Sequence, residues 1–366
     1  MKHLKDLINT AHDNGIKVIM DVVLNHTAWD HPWAKDPAKK DWFHTMGDIS
    51  DWENPNHLVN GRLWGLPDLA QENPEVTKTL IDNAKWWIDQ TGCDGFRLDA
   101  VVHIPGWFWT NFCKEIHDYA GKNFIMIGEV FDGRPNVVSK YQSNMLDTLF
   151  DMPLYFTIKD VFGQDGNMRK LAERLKEDFN YENADILIGI LDNHDVSRFI
   201  TEAGYHGKDK LKLALAFLMT VNRIPCIYYG TEVGMEGVGG MTAADRPPEN
   251  RKMMEWNKDP ELLEYFKKIT NIRNQYGALQ SGKLLEMWQD DKVFAYSRSD
   301  SKEEIIVGLN NAYYNQRREI PIRSESGIRE GTVLINLLNN EEVVVRNGRV
   351  ILNFDPKEPK ILVVKK

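Results

Sequence analysis

Acidic side chains close three of the apolar runs in this sequence, and an arginine accompanies the first of them. The stretch GFRLDAVVH places Arg97 two residues before Asp99, so both side chains lie on one face of a strand. Glu129 closes FIMIGEV, and Asp195 follows DILIGILDN. Arg97 would keep Asp99 ionised. An ionised acid beside a second acid of raised pKa is what a retaining glycosidase requires, with the two carboxyl groups ~5–5.5 Å apart.

Any one of these acids has a structural alternative, because an aspartate after a strand often caps the next helix. We weigh the two roles equally for a single aspartate. The joint pattern is harder to explain by capping, since the acids follow different strands. In an α/β barrel the carboxyl ends of the strands carry the active site, so a barrel would bring the three acids together.

The elements that position these residues alternate between short apolar runs and amphipathic stretches, which predicts parallel strands and crossover helices. We predict strands at 16–23, 95–100, 124–130, 146–150, 185–193 and 224–230. Residues 28–74 break this alternation with many Trp, Asp, Asn, His and Pro residues, as in a long functional excursion. From about 280 the chain reads as short strands and polar turns, which indicates a small antiparallel β domain.

Four segments carry a family resemblance. DVVLNH, GFRLDAVVH, GEVF and LDNHD, in this order, resemble the signature regions of the α-amylase family, glycoside hydrolase family 13. LPDL at 66–69 is similar to its fifth region and IPCIYYGTE at 224–232 to its eighth-strand segment. The stretches GLPDLAQENPEV and LDNHDVSRF look most like bacterial α-amylases and cyclomaltodextrinase-like enzymes.

The resemblance implies an α/β fold: a (β/α)8 TIM-type barrel, an inserted domain B and a C-terminal antiparallel β-sandwich domain. We assign the barrel to 1–27 and 75–280, domain B to 28–74 and the β domain to 281–366. The strand at 16–23 matches the family's third barrel strand, so the first two strands have no counterpart here. We therefore expect a truncated barrel with an open edge, and poor stability or low activity.

Carried over position by position, the resemblance makes Asp99 the nucleophile, Glu129 the general acid/base and Asp195 the residue that stabilises the transition state. It makes Arg97 the residue that orients Asp99. The other residues expected to contact substrate are His26, His103, His194, Arg198 and Trp64. Nine of the eleven tryptophans lie between Trp29 and Trp109. Of these, we expect Trp86 and Trp87 to pack a helix, whereas Trp29, Trp33 and Trp107 are further candidates for stacking on sugars.

The reaction implied is cleavage of α-1,4-glucosidic bonds in starch, maltooligosaccharides or cyclodextrins through a covalent glycosyl-enzyme. LPDL and Ala100 both favour α-1,4 over α-1,6 specificity within the family. Three alternatives stay open: a transglycosylase or isomerase on the same site, an α-glucosidase, and a truncated, inactive scaffold. The three intact acids argue against the scaffold.

Structural calcium is the cofactor that the resemblance implies, and no organic cofactor is expected. The residue matching Asn25 would bind the ion together with the backbone carbonyl of His103. Calcium takes six to eight oxygen ligands, usually with carboxylates among them. Asp48 or Asp51 would supply the carboxylate here.

Composition limits the partners. The formal net charge of -9, with no evident basic face, argues against nucleic acid as a partner. No apolar run reaches membrane-spanning length. The first residues do not read as a signal peptide, because no apolar h-region follows the first lysines. Three widely spaced cysteines do not indicate a disulfide framework or a zinc site. We therefore expect an α-glucan as the partner and no membrane association. The composition leans towards a cytoplasmic location, but secretion and the oligomeric state are left open.

Overall fold

The computed structural model describes residues 1–142, 146–240 and 248–365. The chain divides into two compact units, Met1–Phe150 and Asp151–Lys366, which are described one after the other. Within the described residues, no helix combines the length and the apolar composition that crossing a bilayer requires.

The α-helices are α1 Lys2–Asp13, α2 Pro32–Lys35, α3 Pro55–Asn60, α4 Pro74–Thr91, α5 Gly106–Ala120, α6 Pro135–Val138, α7 Met152–Ile158, α8 Arg169–Lys176, α9 Phe199–Ala203, α10 Gly207–Thr220, α11 Pro260–Gln275 and α12 Gly277–Ser281. Short 3-10 helices cover Pro37–Trp42, Leu63–Gly65, Val101–His103, Ser139–Tyr141, Glu177–Asn180, Ala184–Ile186, Thr231–Val233 and Glu249–Arg251, and a π-helical turn covers Lys159–Gly163.

The strands are β1 Ile19–Val22, β2 Gly95–Leu98, β3 Ile125–Gly128, β4 Thr148–Leu149, β5 Ile188–Gly189, β6 Ile224–Pro225, β7 Lys283–Gln289, β8 Val293–Ser299, β9 Glu304–Asn310, β10 Gln316–Pro321, β11 Val333–Asn336, β12 Glu342–Val344, β13 Arg349–Phe354 and β14 Pro359–Val364. All six parallel strands expected from the sequence are present, but each is shorter than its apolar run.

The first unit is built on a four-stranded parallel sheet of order β1-β2-β3-β4. Every residue of β2 is buried, as expected for a strand covered on both faces. A methyl group on Gly128 would lie only 2.3 Å from Leu146 Cδ1, so the end of β3 requires glycine. The polar residues that follow β2 and β3 therefore lie at the same edge of a single sheet.

Helix α4 joins the long excursion to β2, and its ends are marked in the sequence. Asn73 caps its N-terminus by accepting a hydrogen bond from the Glu75 backbone N–H, and Pro74 occupies the first turn. Gly92 ends the helix in the left-handed conformation, at φ 68°. The excursion before it contains the short helices α2 and α3 and isolated bridges such as His26 with Asp68.

The second unit combines a parallel pair, β5 and β6, with helices and an antiparallel region. Strands β7, β8, β9, β11, β12 and β14 form one six-stranded sheet, and β10 pairs with β13. Alternate residues of this sheet face different partners. Tyr296 and Val307 belong to the core shared with α10, whereas Ala295 and Ile306 belong to the core shared with the β10–β13 pair.

This antiparallel sheet confirms the predicted β structure of the C-terminal region. The eight-stranded barrel stays a prediction, because the parallel strands form separate four-stranded and two-stranded sheets. The inserted domain at 28–74 and the boundary at 280 also stay predictions.

Candidate active site

Arg97 contacts three carboxylates at the ends of neighbouring strands of the first unit. Its Nη1 donates to Asp99 Oδ1 at 2.5 Å and to Asp21 Oδ1 at 2.9 Å, and its Nη2 lies 2.6 Å from Glu129 Oε1. Burial opposes the charge on Arg97, but the charges of Glu129, Asp21 and Asp99 outweigh it and raise the Arg97 pKa. One guanidinium thus joins the two acids predicted to be catalytic.

Backbone hydrogen bonds to the neighbouring strands fix the positions of Asp99 and Glu129. The Asp99 N–H donates to the Val22 carbonyl at 3.0 Å, and the Glu129 N–H donates to the Leu98 carbonyl at 3.0 Å. Ala100, directly after Asp99, has a φ of 51°, in the left-handed region that costs an L-residue ~1–2 kcal/mol. Such strain occurs where a structure holds a functional residue in place.

Two predicted substrate contacts, His26 and His103, lie close enough to Asp99 to interact electrostatically with its carboxylate. Burial lowers the pKa of both imidazoles, and the negative charge of Asp99 only partly opposes this. The His103 Nδ1 donates to the Leu58 carbonyl at 3.0 Å, which leaves Nε2 as the acceptor of the neutral ring. Both rings therefore favour the neutral form.

Trp64 takes part in an exposed aromatic cluster. Its own φ is 55°, and its side chain is 57% exposed. The Trp52 ring lies 6.1 Å from the Trp64 ring and 6.1 Å from the His103 ring, measured between centroids. Flat, exposed rings beside a buried imidazole form a surface on which a sugar ring can stack.

In the second unit, Asp195 and His194 lie on a tight turn. Asn193 Oδ1 accepts hydrogen bonds from the backbone N–H groups of Asp195 and Val196, at 2.8 and 3.2 Å. Arg251 braces the turn, because its Nε donates to the His194 carbonyl at 2.8 Å and its Nη2 to Asp195 Oδ1 at 2.9 Å. The Asp195 carboxylate remains 40% exposed and accessible to a ligand.

Arg198 lies differently from what a substrate contact would require. Its side chain is fully buried, with the guanidinium carbon 4.0 Å from the Tyr228 ring centroid and 4.7 Å from that of Tyr229. Nearby Asp192 is also buried, and burial raises its pKa to about 6. A contact from Arg198 to substrate stays a prediction, whereas the half-exposed Arg251 is the better-placed arginine of this unit.

Comparison with known proteins decides the family. The family described as "Alpha amylase, catalytic domain" matches residues 1–261. The chain belongs to the α-amylase family. It is 40% identical to the "Beta/alpha-amylase" of Paenibacillus polymyxa over 99% of this chain, and 31% identical to a cyclomaltodextrinase of Thermoanaerobacter pseudethanolicus over 84%. These names confirm the predicted glycosidase family.

This α-amylase-family chain is also similar to a solved structure, an α-amylase from Anoxybacillus. The TM-score is 0.92 at 36% identity, and the match covers 100% of this chain and 80% of that one. The chain spans 30% and 54% of the lengths of the two curated relatives.

The residues expected to hold calcium fit a cation in part. Asn25 and Asp68 are buried, and their Oδ1 atoms have no hydrogen-bond partner among the described residues. Such orphaned oxygens suit a hard cation. Asp48 and Asp51 are engaged elsewhere: Asp48 pairs with Arg62 at 2.9 Å, and Asp51 accepts from the Glu53 N–H. Asp68 Oδ2 also has a partner, His44 Nδ1 at 2.6 Å, but its buried Oδ1 has none, which makes Asp68 the better-placed carboxylate. Within the described residues, no cluster of three or more His, Cys, Asp or Glu side chains could hold a metal ion.

Our reading of the sequence missed three residues that the structure places beside predicted ones: Asp68, Trp52 and Arg251. Asp68 lies within the LPDL stretch, so the motif itself marks this residue in the sequence. Trp52 belongs to a tryptophan-rich segment with no regular period. Arg251 lies more than fifty positions from Asp195, and no local pattern connects them.

Proposed function

We propose that this chain cleaves α-1,4-glucosidic bonds in starch, maltooligosaccharides or cyclodextrins with retention of configuration. The observation that carries the proposal is the contact of one guanidinium with both Asp99 and Glu129, 2.5 Å and 2.6 Å from its two terminal nitrogens. Two acids held at neighbouring strand ends supply a nucleophile and a proton donor. The similarity to an amylase and a cyclomaltodextrinase supports the α-glucan substrate.

In the first step, a carboxylate oxygen of Asp99 forms a bond to the anomeric carbon as the glycosidic bond breaks. Glu129 gives its proton to the departing oxygen. In the second step, the Glu129 carboxylate takes a proton from water, whose oxygen attacks the anomeric carbon and releases Asp99. The neutral imidazole of His103 is proposed to accept a hydrogen bond from a sugar hydroxyl at Nε2. His26 Nδ1 faces the Asn25 amide nitrogen at 3.3 Å, so the neutral His26 ring is proposed to donate to a hydroxyl from Nε2.

Asp195 and His194 belong to the family motif LDNHD. Their proposed task is to bind hydroxyls of the sugar whose ring flattens in the transition state. Arg251 would act as a positioning residue, since it holds both the His194 carbonyl and the Asp195 carboxylate.

Calcium is proposed as a structural ion on Asn25 and Asp68. An ion there would join the end of β1 to the LPDL stretch and would take no part in bond cleavage. We further propose that residues 28–74 form an inserted domain of a (β/α)8-type barrel, which the parallel sheet and the similarity to the Anoxybacillus α-amylase support.

The test is a product profile from maltoheptaose by mass spectrometry for three chains: the parent, Asp99→Asn and the control Asp82→Asn. Asp82 is 56% exposed on α4 and paired with Lys78, so its replacement should leave activity unchanged. We expect shorter maltooligosaccharides from the parent and the control alone, with the α-anomer formed first by NMR. Early products longer than maltoheptaose would favour transglycosylation, and first formation of the β-anomer would contradict retention.

A further inference from the structure

A second concave surface of the first unit lies within the excursion between β1 and α4. This groove, called here the tryptophan groove, is lined by residues between Trp29 and Pro67 and encloses about 400 Å³. Such a volume lies within the ~300–1,000 Å³ range of small-ligand sites. Neither Asp99 nor Glu129 belongs to its lining. The groove and the acid pair are thus formed by different side chains.

Two indole rings line the tryptophan groove in fixed positions. Trp29 is 66% exposed, yet its Nε1 donates to the Gly65 carbonyl at 2.9 Å. Trp33 packs edge-on against the buried Trp42, with ring centroids 5.1 Å apart. Rings whose orientation is already fixed lose little entropy when a flat ligand stacks on them.

The lining is also cationic. Lys35, Lys39, Lys40 and Arg62 all line the groove, and among its described lining residues Asp36 is the one carboxylate. The Asp36 carboxylate caps the following turn by accepting from the Ala38 N–H. Lys39 lies over the Trp42 ring and Arg62 pairs with Asp48, whereas Lys35 and Lys40 are exposed side chains. A positive groove is notable on a chain of net charge -9, because it favours an anionic ligand.

We propose that the tryptophan groove binds an α-glucan chain that carries phosphate monoester groups. The indole rings of Trp29 and Trp33 stack on glucose rings, and the ammonium groups of Lys35 and Lys40 bind the phosphate. The choice of α-glucan rests on the proposed function; the choice of an anionic one rests on the exposed Lys35 and Lys40. A neutral glucan would use the indole rings but would leave Lys35 and Lys40 without a charged partner.

The test compares one amylopectin preparation before and after treatment with phosphatase, so the two ligands differ only in phosphate. Binding is measured by affinity electrophoresis in the Asp99→Asn background, which prevents digestion of the gel. We expect tighter binding to the phosphorylated polymer. Lys35→Gln with Lys40→Gln should weaken that binding about three- to tenfold, as for two exposed charge contacts, and should leave binding to the treated polymer unchanged. Trp29→Ala should weaken binding to both.

The matched control is Lys78→Gln with Lys114→Gln, which removes two exposed lysines of α4 and α5 outside the groove. It should leave both affinities unchanged. Equal binding of the two polymers would overturn the proposal in favour of a groove that binds neutral glucan. Groove variants that bind both polymers as the control does would show that the groove does not bind glucan.

Turnover of maltoheptaose separates this proposal from the proposed function. With Asp99 intact, the chain carrying Lys35→Gln and Lys40→Gln should cleave maltoheptaose at the parent rate, because neither lysine contacts the acid pair. If the parent itself makes no products, the proposed function fails while the electrophoresis still reports on the groove. Normal turnover with no phosphate preference would defeat only the groove proposal.

Discussion

Arg97 joins two acids that have different tasks in the proposed reaction. Asp99 must stay ionised to attack carbon, whereas Glu129 must carry a proton when the first bond breaks. The Arg97 guanidinium lies 2.5 Å from an Asp99 oxygen and 2.6 Å from a Glu129 oxygen. The observed geometry therefore suits the second step, in which Glu129 acts as a base. We expect Glu129 to turn from Arg97 towards the glycosidic oxygen when substrate binds, as catalytic contacts often tighten only in the complex.

Replacing Glu129 by glutamine tests this assignment, because glutamine keeps the shape but cannot donate the proton. We expect product release from maltoheptaose to fall about 10²- to 10⁴-fold. With α-maltosyl fluoride, whose fluoride leaves without a proton, a burst of about one fluoride per enzyme should remain. Rapid-quench measurement of fluoride checks this, with Asp99→Asn as the control that shows no burst. Absence of a burst from Glu129→Gln would assign the nucleophile, not the acid, to Glu129.

At the scale of elements, a buried ion cluster supports the second unit. Asp151 caps α7 through the Leu154 N–H, and its carboxylate also binds Arg174 Nη2 at 2.6 Å and Arg223 Nε at 2.7 Å. Burial raises the Asp151 pKa, but the charges of Arg223 and Arg174 outweigh it, so the pKa lies below the ordinary value. One carboxylate thus joins α7, α8 and the residue preceding β6.

Asp151→Asn should destabilise the fold by about 3–5 kcal/mol, since it removes the fully buried charge that Arg174 and Arg223 share and leaves them only the more exposed Asp178. Equilibrium urea unfolding measures this. The control is Asp291→Asn, a 67% exposed partner of Arg169 that should cost below about 1 kcal/mol. Because the folded pKa of Asp151 is lowered, its stabilisation is complete above about pH 4 and is lost as the pH falls further. A destabilisation by Asp151→Asn that persists unchanged at pH 3 would contradict this linkage.

At the scale of the whole molecule, the stability of the folded chain should depend on the calcium concentration. An ion bound only by the folded chain stabilises it by about 2.7 kcal/mol at one hundred times its dissociation constant. We expect Tm to rise with added Ca²⁺, to fall with EDTA and to respond weakly to Mg²⁺, which prefers a smaller and more regular site. Asp68→Asn should abolish the calcium response, and Asp48→Asn should preserve it. A Tm equal in calcium and in EDTA would eliminate the proposed site.

The sequence by itself determined the local features of this protein. Apolar runs predicted the six parallel strands and the motifs predicted the family, because each of these signals lies within a few residues. Strand lengths were less predictable, since an apolar run such as 16–23 extends beyond the four paired residues of β1.

Only the tertiary structure decided which distant residues meet. The contact of Arg97 with Glu129 depends on β2 and β3 being neighbours, and the positions of Asp68 near Asn25 and Trp52 near Trp64 depend on how an irregular excursion folds. Arg251 reaches Asp195 across more than fifty intervening residues. Contacts of this kind leave no periodic trace in a single chain, because they are set by packing of elements rather than by the conformational preferences of neighbouring residues.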